Sequence, residues 1–331
     1  QAPDSGVKYM TDAGAILGDD GRLRFPRGLV EDTFAKCARH ITLHGQNPKH
    51  DLLLSGSRVH YGTAGAAVHV VDIAKNEYRE SYLADVYDAA RIVEQMDNIH
   101  FFQRPMVARD IPDPADLDFN TVYAAIKGTT KHVGVSFTEA EFMKPVFEML
   151  HSVAGGEDKW RARPFVSNSN CFVVPPLRFA TESCLVMEEA VHNGMPVLLL
   201  SAGQAGATAP ASIAGAVAQA LSEVIAGLIY VNAMKPGHPC ICGTWPFVSD
   251  LRTGAMSGGS GEQGLLTAAC AQMLQYYDLP GGAAAGMADA KMPDAQSGYE
   301  KGSTLVMAGL SGLNMVYEAA GMHASLLGFL S

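Results

Sequence analysis

The chain of 331 residues lacks the features of several common protein classes. It has no basic run, and 24 Lys and Arg residues against 34 Asp and Glu residues give a net charge of −10, which argues against nucleic-acid binding. It has neither a signal peptide nor a long uninterrupted apolar stretch, so we expect a soluble, cytoplasmic protein without a membrane partner. Six scattered cysteines without disulfide-scaffold spacing suit a reducing compartment.

Signatures of nucleotide binding, serine hydrolysis and metal binding are also missing or incomplete. No Gly-x-Gly-x-x-Gly follows the first strand of the repeats, the glycines in 203–206 and 258–264 lack a following Lys-Ser/Thr, and no Gly-x-Ser-x-Gly elbow occurs. The motif His238-x-Cys240-x-Cys242 offers zinc-type ligands on one strand face, but no second Cys/His pair follows. We therefore expect no nucleotide cofactor and no bound metal.

The chain does contain a regular alternation of strand and helix patterns after a different beginning. Residues 1–80 carry short extended runs broken by Gly, Asn and Pro, which predicts a β-rich segment packed on the remainder. From Ser81 onward, helical periodicity alternates with apolar runs. At least six such repeats favour an α/β fold of the (β/α)8 TIM barrel type over residues 81–331, with a doubly wound sheet as the competing fold.

The predicted strands of the repeats are His100–Val107, His132–Phe137, Phe165–Val174, Val197–Ser201, Pro239–Thr244 and Asn314–Ala319. The helices between them include Ala211–Met234 and Ala295–Leu310, the second of which Asp294 can cap. The Gly/Ala-rich stretch 281–286 is interpreted as a loop, because glycine permits backbone geometries that other residues avoid.

Polar residues collect where the predicted strands end. Loops after three strands contain Asn170, Gln204 and Arg252, and although such residues favour ordinary turns, their shared position at strand ends favours a substrate site. The segment 285–302 combines turn formers, acids and bases between the Gly/Ala-rich stretch and a helix. From it we predict four further substrate-binding residues, Asp289, Lys291, Gln296 and Tyr299.

Two residues are candidates for catalysis. Glu223 lies on a largely apolar helix, where an acid is costly to bury without a partner, so it faces either a polar site or a solvated stripe. His323 follows the last predicted strand, where a histidine serves as a structural cap as readily as a working group.

Aromatic residues near the predicted strand ends suggest a cation site. A methylated ammonium cannot donate an N–H hydrogen bond and is held best by aromatic faces. Trp245, with Phe247 close by, is the leading candidate for such a site. Core packing must account for most of the other aromatic residues near these loops, which are Tyr61, Phe137, Phe172, Tyr299 and Phe329.

Three ordered segments, His40–Ala67, Ala207–Thr244 and Ala288–Gly302, resemble the trimethylamine methyltransferase (MttB-type) superfamily. The resemblance implies a (β/α)8 barrel that moves a methyl group from a methylated amine to Co(I) of a corrinoid (cobalamin) on a partner protein. It also implies a chain that normally continues past Leu330, so we expect a C-terminal truncation, and we expect a homo-oligomer.

The trimethylamine enzymes of this superfamily use pyrrolysine, whereas this chain shows only the standard twenty residues. The resemblance therefore points to the branch similar to glycine betaine:corrinoid methyltransferase and to a quaternary amine substrate. In that interpretation Glu223 and aromatic faces favour the ammonium, while Asn170, Gln204, Arg252 or His323 orient the polar tail. A non-catalytic betaine-binding barrel and a pyrrolysine-free tertiary methylamine demethylase remain as alternatives.

Overall fold

The computed structural model describes residues 2–72, 74–75, 77–324 and, for the backbone alone, 327–328. Phe329 and Leu330 lie outside these residues. At its centre is an eight-stranded sheet. Its strands are β1 (His60–Tyr61), β2 (Phe101–Gln103), β3 (His132–Val135), β4 (Val166–Asn170), β5 (Val197–Ser201), β6 (Cys240–Thr244), β7 (Gly281–Ala284) and β8 (Met315–Tyr317).

The sheet closes into a barrel. Every strand from β2 to β8 runs parallel to the next one in the chain, and β8 pairs with β1 through Met315 and His60. A parallel bridge from Gly62 to Phe101 joins the end of β1 to β2. The predicted TIM barrel is confirmed, and strands β2 to β8 are almost entirely buried, as parallel strands covered by helices must be.

Ten α-helices lie in the described part of the chain: α1 (Asp4–Asp12), α2 (Arg27–Lys36), α3 (Leu83–Glu94), α4 (Pro114–Gly128), α5 (Met143–Ala154), α6 (Glu157–Ala162), α7 (Thr181–His192), α8 (Ile213–Met234), α9 (Gly261–Tyr276) and α10 (Ala295–Leu310). Short 3-10 turns cover Pro48–His50 and Ala140–Phe142. Local signals set the helix starts. The Asp113 side chain accepts hydrogen bonds from two backbone N–H groups of α4, and Asp294 caps α10 through Ser297 N at 3.0 Å.

The N-terminal segment closes the amino end of the barrel. An antiparallel hairpin of Ile41–Leu43 and Leu52–Leu54 lies beneath β3, since His132 contacts the backbone O of His44 at 2.8 Å. The same segment supplies β1, and helices α1 and α2 pack on α8. Residues 1–80 therefore contribute to the barrel as well as covering it, and the domain division at residue 80 stays a prediction.

Three further small sheets and one hairpin lie outside the barrel sheet. The antiparallel pair Ile16–Leu17 and Leu23–Arg24 lies near the N-terminus. His69–Asp72 pairs with Glu77–Glu80 and Leu327–Gly328, and Val173–Val174 pairs with Arg178–Phe179. The last sheet joins Gln204–Ala205, Phe247–Ser249 and Met256–Ser257.

One prediction about the elements is wrong. The stretch 281–284 is not a loop but strand β7, and all four of its residues are buried. The glycines there serve packing inside the barrel instead of a turn, because a Cβ on Gly282 would lie 2.8 Å from the ring of Tyr317 and 3.1 Å from Ile241.

Helix α8 is, within the described residues, the one helix long and apolar enough to cross a bilayer by length and composition. It packs against β5, β6, α1 and α2, and residues such as Ala216, Ala220 and Val224 are buried there. Its apolar surface is therefore largely used in packing within the barrel.

Candidate active site

Three aromatic rings lie together inside the barrel, and we call them the aromatic wall. The ring centroids of Phe101 and Tyr317 are 5.0 Å apart, and those of Tyr317 and Trp245 are 5.2 Å apart. Phe101 begins β2, Tyr317 ends β8, and Trp245 directly follows β6. Tyr317 and Trp245 thus stand at the carboxyl ends of their strands, where TIM-barrel enzymes bind substrates.

Glycines make room for this wall. A Cβ on Gly62 would lie 2.3 Å from the Phe101 ring, and a Cβ on Gly282 would lie 2.8 Å from the Tyr317 ring. Both distances are far shorter than a van der Waals contact, so larger residues would displace the rings.

We expect Gly282→Val to push Tyr317 out of the wall and to lower the free energy of unfolding by about 1–3 kcal/mol, as overpacking of a core does. Urea denaturation followed by tryptophan fluorescence measures the loss. Gly302→Ala on α10 is the matched control, because its Cβ meets nothing within 4 Å, and it should be neutral or stabilising. Equal stability of Gly282→Val and the wild type would contradict the assigned packing.

The indole N–H of Trp245 is a hydrogen-bond donor without an acceptor among the described residues. Its indole Nε1 is buried and forms no hydrogen bond in the described part of the protein. Buried donors are nearly always hydrogen-bonded, so this N–H marks a place where a ligand or water can accept. The structure places Trp245 in the wall as a cation site requires, and its role in binding stays a prediction.

We call the opening at the carboxyl ends of the barrel strands the mouth. The small sheet formed after β5 and β6 lies beside it and includes two predicted site residues, Gln204 and Phe247. Gln204 accepts a hydrogen bond from the Ser249 hydroxyl at 2.9 Å, and the backbone N of Phe247 donates to Gly203 at 2.9 Å. Both residues therefore hold the two loops together. Arg252 is on the turn of this sheet, with 87% of its side chain exposed and an Asp250 oxygen 3.7 Å away.

Asp289 joins the loop after β7 to the loop after β6. Its carboxylate accepts hydrogen bonds from the Ser257 hydroxyl and from the backbone N of Gly258 at 2.9 Å. The Asp289 backbone N in turn donates to Glu300 of α10 at 2.7 Å. These contacts give Asp289 a clear role in shaping the mouth, while contact with substrate is still only predicted.

The other predicted residues of segment 285–302 lie further from the wall. Lys291 donates to the backbone O of Asp289 at 2.7 Å, and Gln296 donates to Glu300 at 2.8 Å. Tyr299 lies on the outer face of α10 with 80% of its surface exposed. Among the described residues, none of these three side chains contacts the aromatic wall.

Glu223 is buried and fully engaged. Its carboxylate accepts hydrogen bonds from the backbone N of Leu177 at 2.7 Å, from the Ser201 hydroxyl, and from Gln219 at 3.3 Å. Glu223 thus connects α8 to the end of β5 and to the loop after β4. The sequence left open whether Glu223 faces a polar site or a solvated stripe, and the structure shows it buried among polar groups. Its catalytic role stays a prediction.

Asn170 ends β4 and faces the helix layer. Its Nδ2 donates to the backbone O of Ser183 in α7 at 2.9 Å, while its Oδ1 is buried and accepts no hydrogen bond from any residue that the structure describes. Two residues earlier on the same strand face, Asn168 is fully buried with neither amide atom bonded to a described residue.

Sequence reasoning missed a buried acid and a partly buried base behind the wall. Glu318 follows Tyr317, has a left-handed φ of 67°, and is fully buried; burial raises its pKa to about 8. Lys301 of α10 donates to the backbone O atoms of Gly286 and Gly321 at 2.7 and 2.9 Å, and burial lowers its pKa to about 8. Lys301 therefore clamps together the loops that follow β7 and β8.

His323 lies beside this clamp. It is fully buried, its Nδ1 is 3.3 Å from the backbone O of Ala290, and its residue bridges to Ala288. Burial, followed by the charge of Lys301, lowers the pKa of His323 to about 4, so the imidazole is neutral at physiological pH. A neutral imidazole can act as a base, and its predicted catalytic role remains to be tested.

The His238-x-Cys240-x-Cys242 motif lies on the helix-facing side of β6, near its amino end. The imidazole of His238 contacts the backbone O of Met195 at 2.9 Å, and both thiols are buried, which raises their pKa values. Among the described residues, no three or more His, Cys, Asp or Glu side chains are arranged to hold a metal ion.

Comparison with known proteins identifies the relatives of this barrel. The chain is 33% identical over 297 residues to trimethylamine methyltransferase MttB of Desulfitobacterium hafniense DCB-2, covering 90% of this chain and 60% of that protein. It is 30% identical over 303 residues to glycine betaine methyltransferase of D. hafniense Y51, covering 91% and 62%. The chain thus spans about 60% of the length of these relatives.

Structural comparison supports the fold alone. A dihydropteroate synthase from Coxiella burnetii, solved with pteroic acid, aligns with a TM-score of 0.51 at 10% identity over 86% of this chain and 94% of that chain. The family model for trimethylamine methyltransferase (MTTB) matches residues 2–330. The chain therefore belongs to the trimethylamine methyltransferase (MTTB) family.

Proposed function

We propose that this protein moves a methyl group from a quaternary amine, glycine betaine or a similar compound, to Co(I) of a corrinoid that a separate protein carries. The observation that carries the proposal is the aromatic wall of Phe101, Tyr317 and Trp245 inside the barrel. Rings attract a cation through their negative faces, and a quaternary ammonium, which lacks an N–H, has little else to bind it. The glycine betaine methyltransferase among the relatives agrees with this substrate class.

This methyl transfer does not require an acid or a base. When the methyl carbon bonds to the acceptor, the C–N electron pair stays on nitrogen and leaves a neutral tertiary amine, so no proton has to move. The protein's task is to hold the ammonium in a dry, oriented position with one methyl facing the mouth. The buried wall provides such a surface.

The corrinoid that accepts the methyl group has to reach the substrate through the same mouth of the barrel. Exposed apolar side chains occur on loops next to it, with Val174 and Leu177 after β4 exposed by 45% and 56%, and Leu251 after β6 exposed by 74%. Apolar surface around an opening is typical of a protein docking site. These residues support the proposal that a corrinoid protein covers the mouth.

The decisive experiment mixes the protein with cob(I)alamin and a panel of amines and records methylcobalamin by its visible spectrum. Glycine betaine or another quaternary amine should yield methylcobalamin, whereas trimethylamine and dimethylglycine should not. Turnover of the tertiary amines alone would favour the demethylase alternative. Binding of betaine without methyl transfer, also with a corrinoid protein supplied, would favour the non-catalytic alternative.

We expect Trp245→Leu to weaken binding of the quaternary amine by about 1–2 kcal/mol, or roughly 5–30-fold, because a desolvated cation–π contact is lost. Isothermal titration calorimetry measures the change. Trp160→Phe is the control, since Trp160 is packed in the core against Phe147 and Phe165 and should not affect binding. Unchanged affinity of Trp245→Leu would remove this ring from the site.

A further inference from the structure

Arg104 is a guanidinium without an ion-pair partner. Across the described chain no carboxylate lies within 4.0 Å of it, although nine other arginines have such a partner. Three further arginines without one, Arg22, Arg58 and Arg178, are exposed to water. Arg104 is instead partly buried, and burial lowers its pKa.

Most of the N–H donors of the Arg104 guanidinium form no hydrogen bond with the described residues. Nη1 donates to the backbone O of Met106 at 3.4 Å, and the buried Nε donates to no described residue. A guanidinium carries five N–H donors in a planar fork that fits a carboxylate. Removing such a group from water without a charge partner is unfavourable, so an anion that binds here gains a strong interaction.

Arg104 stands at the same mouth as the aromatic wall. It directly follows Gln103, the last residue of β2, and its backbone N donates to Gly134 of β3 at 3.0 Å. Phe101 of the wall begins β2 three residues earlier, about 10 Å away along an extended chain. Recognition of one ligand by both features requires the long side chain of Arg104 to extend over the strand ends towards the wall.

Two ionisable groups influence the charge of Arg104, and the carboxylate among them lies more than 4.0 Å from the guanidinium. They are Asp118 of α4 and Cys171 after β4, and the Asp118 carboxylate already accepts from the backbone N of Thr138 at 2.7 Å and from its hydroxyl at 3.0 Å. Burial of the Asp118 carboxyl raises its pKa. Because Cys171 follows β4, the guanidinium lies near the ends of β3 and β4.

We propose that Arg104 binds a carboxylate or similar anionic group of the substrate whose ammonium rests against the wall of Phe101, Tyr317 and Trp245. This inference rests on the proposed function and narrows it, because it requires a zwitterionic substrate. A cation with the same trimethylammonium group but a neutral tail, such as choline, lacks the group that Arg104 recognises. Arg104 is therefore the residue that sets specificity for the tail.

The test measures the binding of glycine betaine and choline by calorimetry to the wild type, Arg104→Gln, Arg104→Lys and Asp118→Asn. The wild type should prefer glycine betaine by about 30-fold or more, the range found when one partner of a buried charge pair is lost. Arg104→Gln should lose most of that preference while its choline affinity changes by less than about threefold. Arg104→Lys should be intermediate, since it keeps a charge without the fork.

Asp118→Asn is the matched control, and it should keep the betaine preference. If Asp118→Asn and Arg104→Gln lose the preference alike, Arg104 serves an internal charge pair and the inference is overturned. An equal loss of both ligands in Arg104→Gln, or a wild type without preference, overturns it as well. A wild type that transfers a methyl group from choline and betaine equally well would refute only the role of Arg104, whereas no binding of any quaternary amine would refute the proposed function itself.

Discussion

Replacing Glu318 by Gln is expected to raise the free energy of unfolding by about 3 kcal/mol at pH 7 and to leave it nearly unchanged at pH 4.5. Burial raises the pKa of Glu318 from its ordinary value of 4.5 to about 8. The folded protein therefore binds a proton that the unfolded chain releases between these values. The stability from the protonated acid is complete below pH 4.5 and is lost as pH rises towards 8.

The measurement is urea denaturation at pH 4.5, 7 and 8.5 on wild type and variant. Glu262→Gln, on the exposed first turn of α9, is the control and should follow the wild type at each pH. Above pH 8, where Glu318 is ionised in the wild type, the variant also removes a negative charge that raises the pKa of Lys301. Parallel stability curves for Glu318→Gln and the wild type would show that Glu318 is ionised in the folded protein.

A buried acid at this position has a consequence for the site. Glu318 follows Tyr317 of the wall, and its Oε2 accepts a hydrogen bond from Met322 N at 3.1 Å, while its Oε1 has no partner among the described residues. The backbone is held in a left-handed conformation that a non-glycine residue seldom adopts. Functional sites often retain such unfavourable features, and stabilising substitutions there often reduce activity.

Several elements follow directly from sequence patterns. Val197–Ser201 was predicted with its observed ends because a buried parallel strand needs a short continuous apolar run. Ala295–Leu310 also matches, because Asp294 supplies the cap that fixes its start. Where local chemistry defines an element, the sequence is sufficient.

Strand β7 shows where local chemistry fails. Gly281 and Gly282 have low strand propensity, and only the closeness of Tyr317 and Ile241 explains why glycine is needed inside the barrel. Those neighbours come from β8 and β6, so no local pattern contains them. Helices α1 and α2 in residues 1–80 were missed for a similar reason, since packing on α8 stabilises them.

The candidate site was only partly predictable. Trp245 was recognised as a strand-end aromatic, whereas Phe101 and Tyr317 were not, because both faces of these strands are buried and the sequence does not distinguish the inward face. Arg104 becomes conspicuous only when the structure shows that its buried Nε has no hydrogen-bond partner among the described residues. In the sequence it lies inside the predicted strand His100–Val107, and a charged residue within that largely apolar run was the one signal that could have indicated it.

Lowering the pH from 7 to 5 is expected to remove about 2 kcal/mol of stability through each of two buried histidines, His132 and His238. Burial lowers both pKa values from the ordinary 6.5 of a histidine to about 4. His132 lies between the backbone O of His44 and the Ser167 hydroxyl, at 2.8 and 2.9 Å, so it bonds as a neutral ring. Its stabilising contribution is present above pH 6.5 and is lost as pH falls through 4.

The wild type alone does not isolate this effect, because Glu318 titrates in the same range with the opposite sign. The comparison is therefore between the wild type and the double variant His132→Gln, His238→Gln, with urea denaturation at pH 7, 6 and 5. The double variant should lose about 4 kcal/mol less than the wild type over this range. His40→Gln, at an exposed position, is the control and should lose as much stability as the wild type. Equal losses in all three proteins would mean that the two imidazoles gain protons as readily when folded as when unfolded, and that the amino end of the barrel admits water.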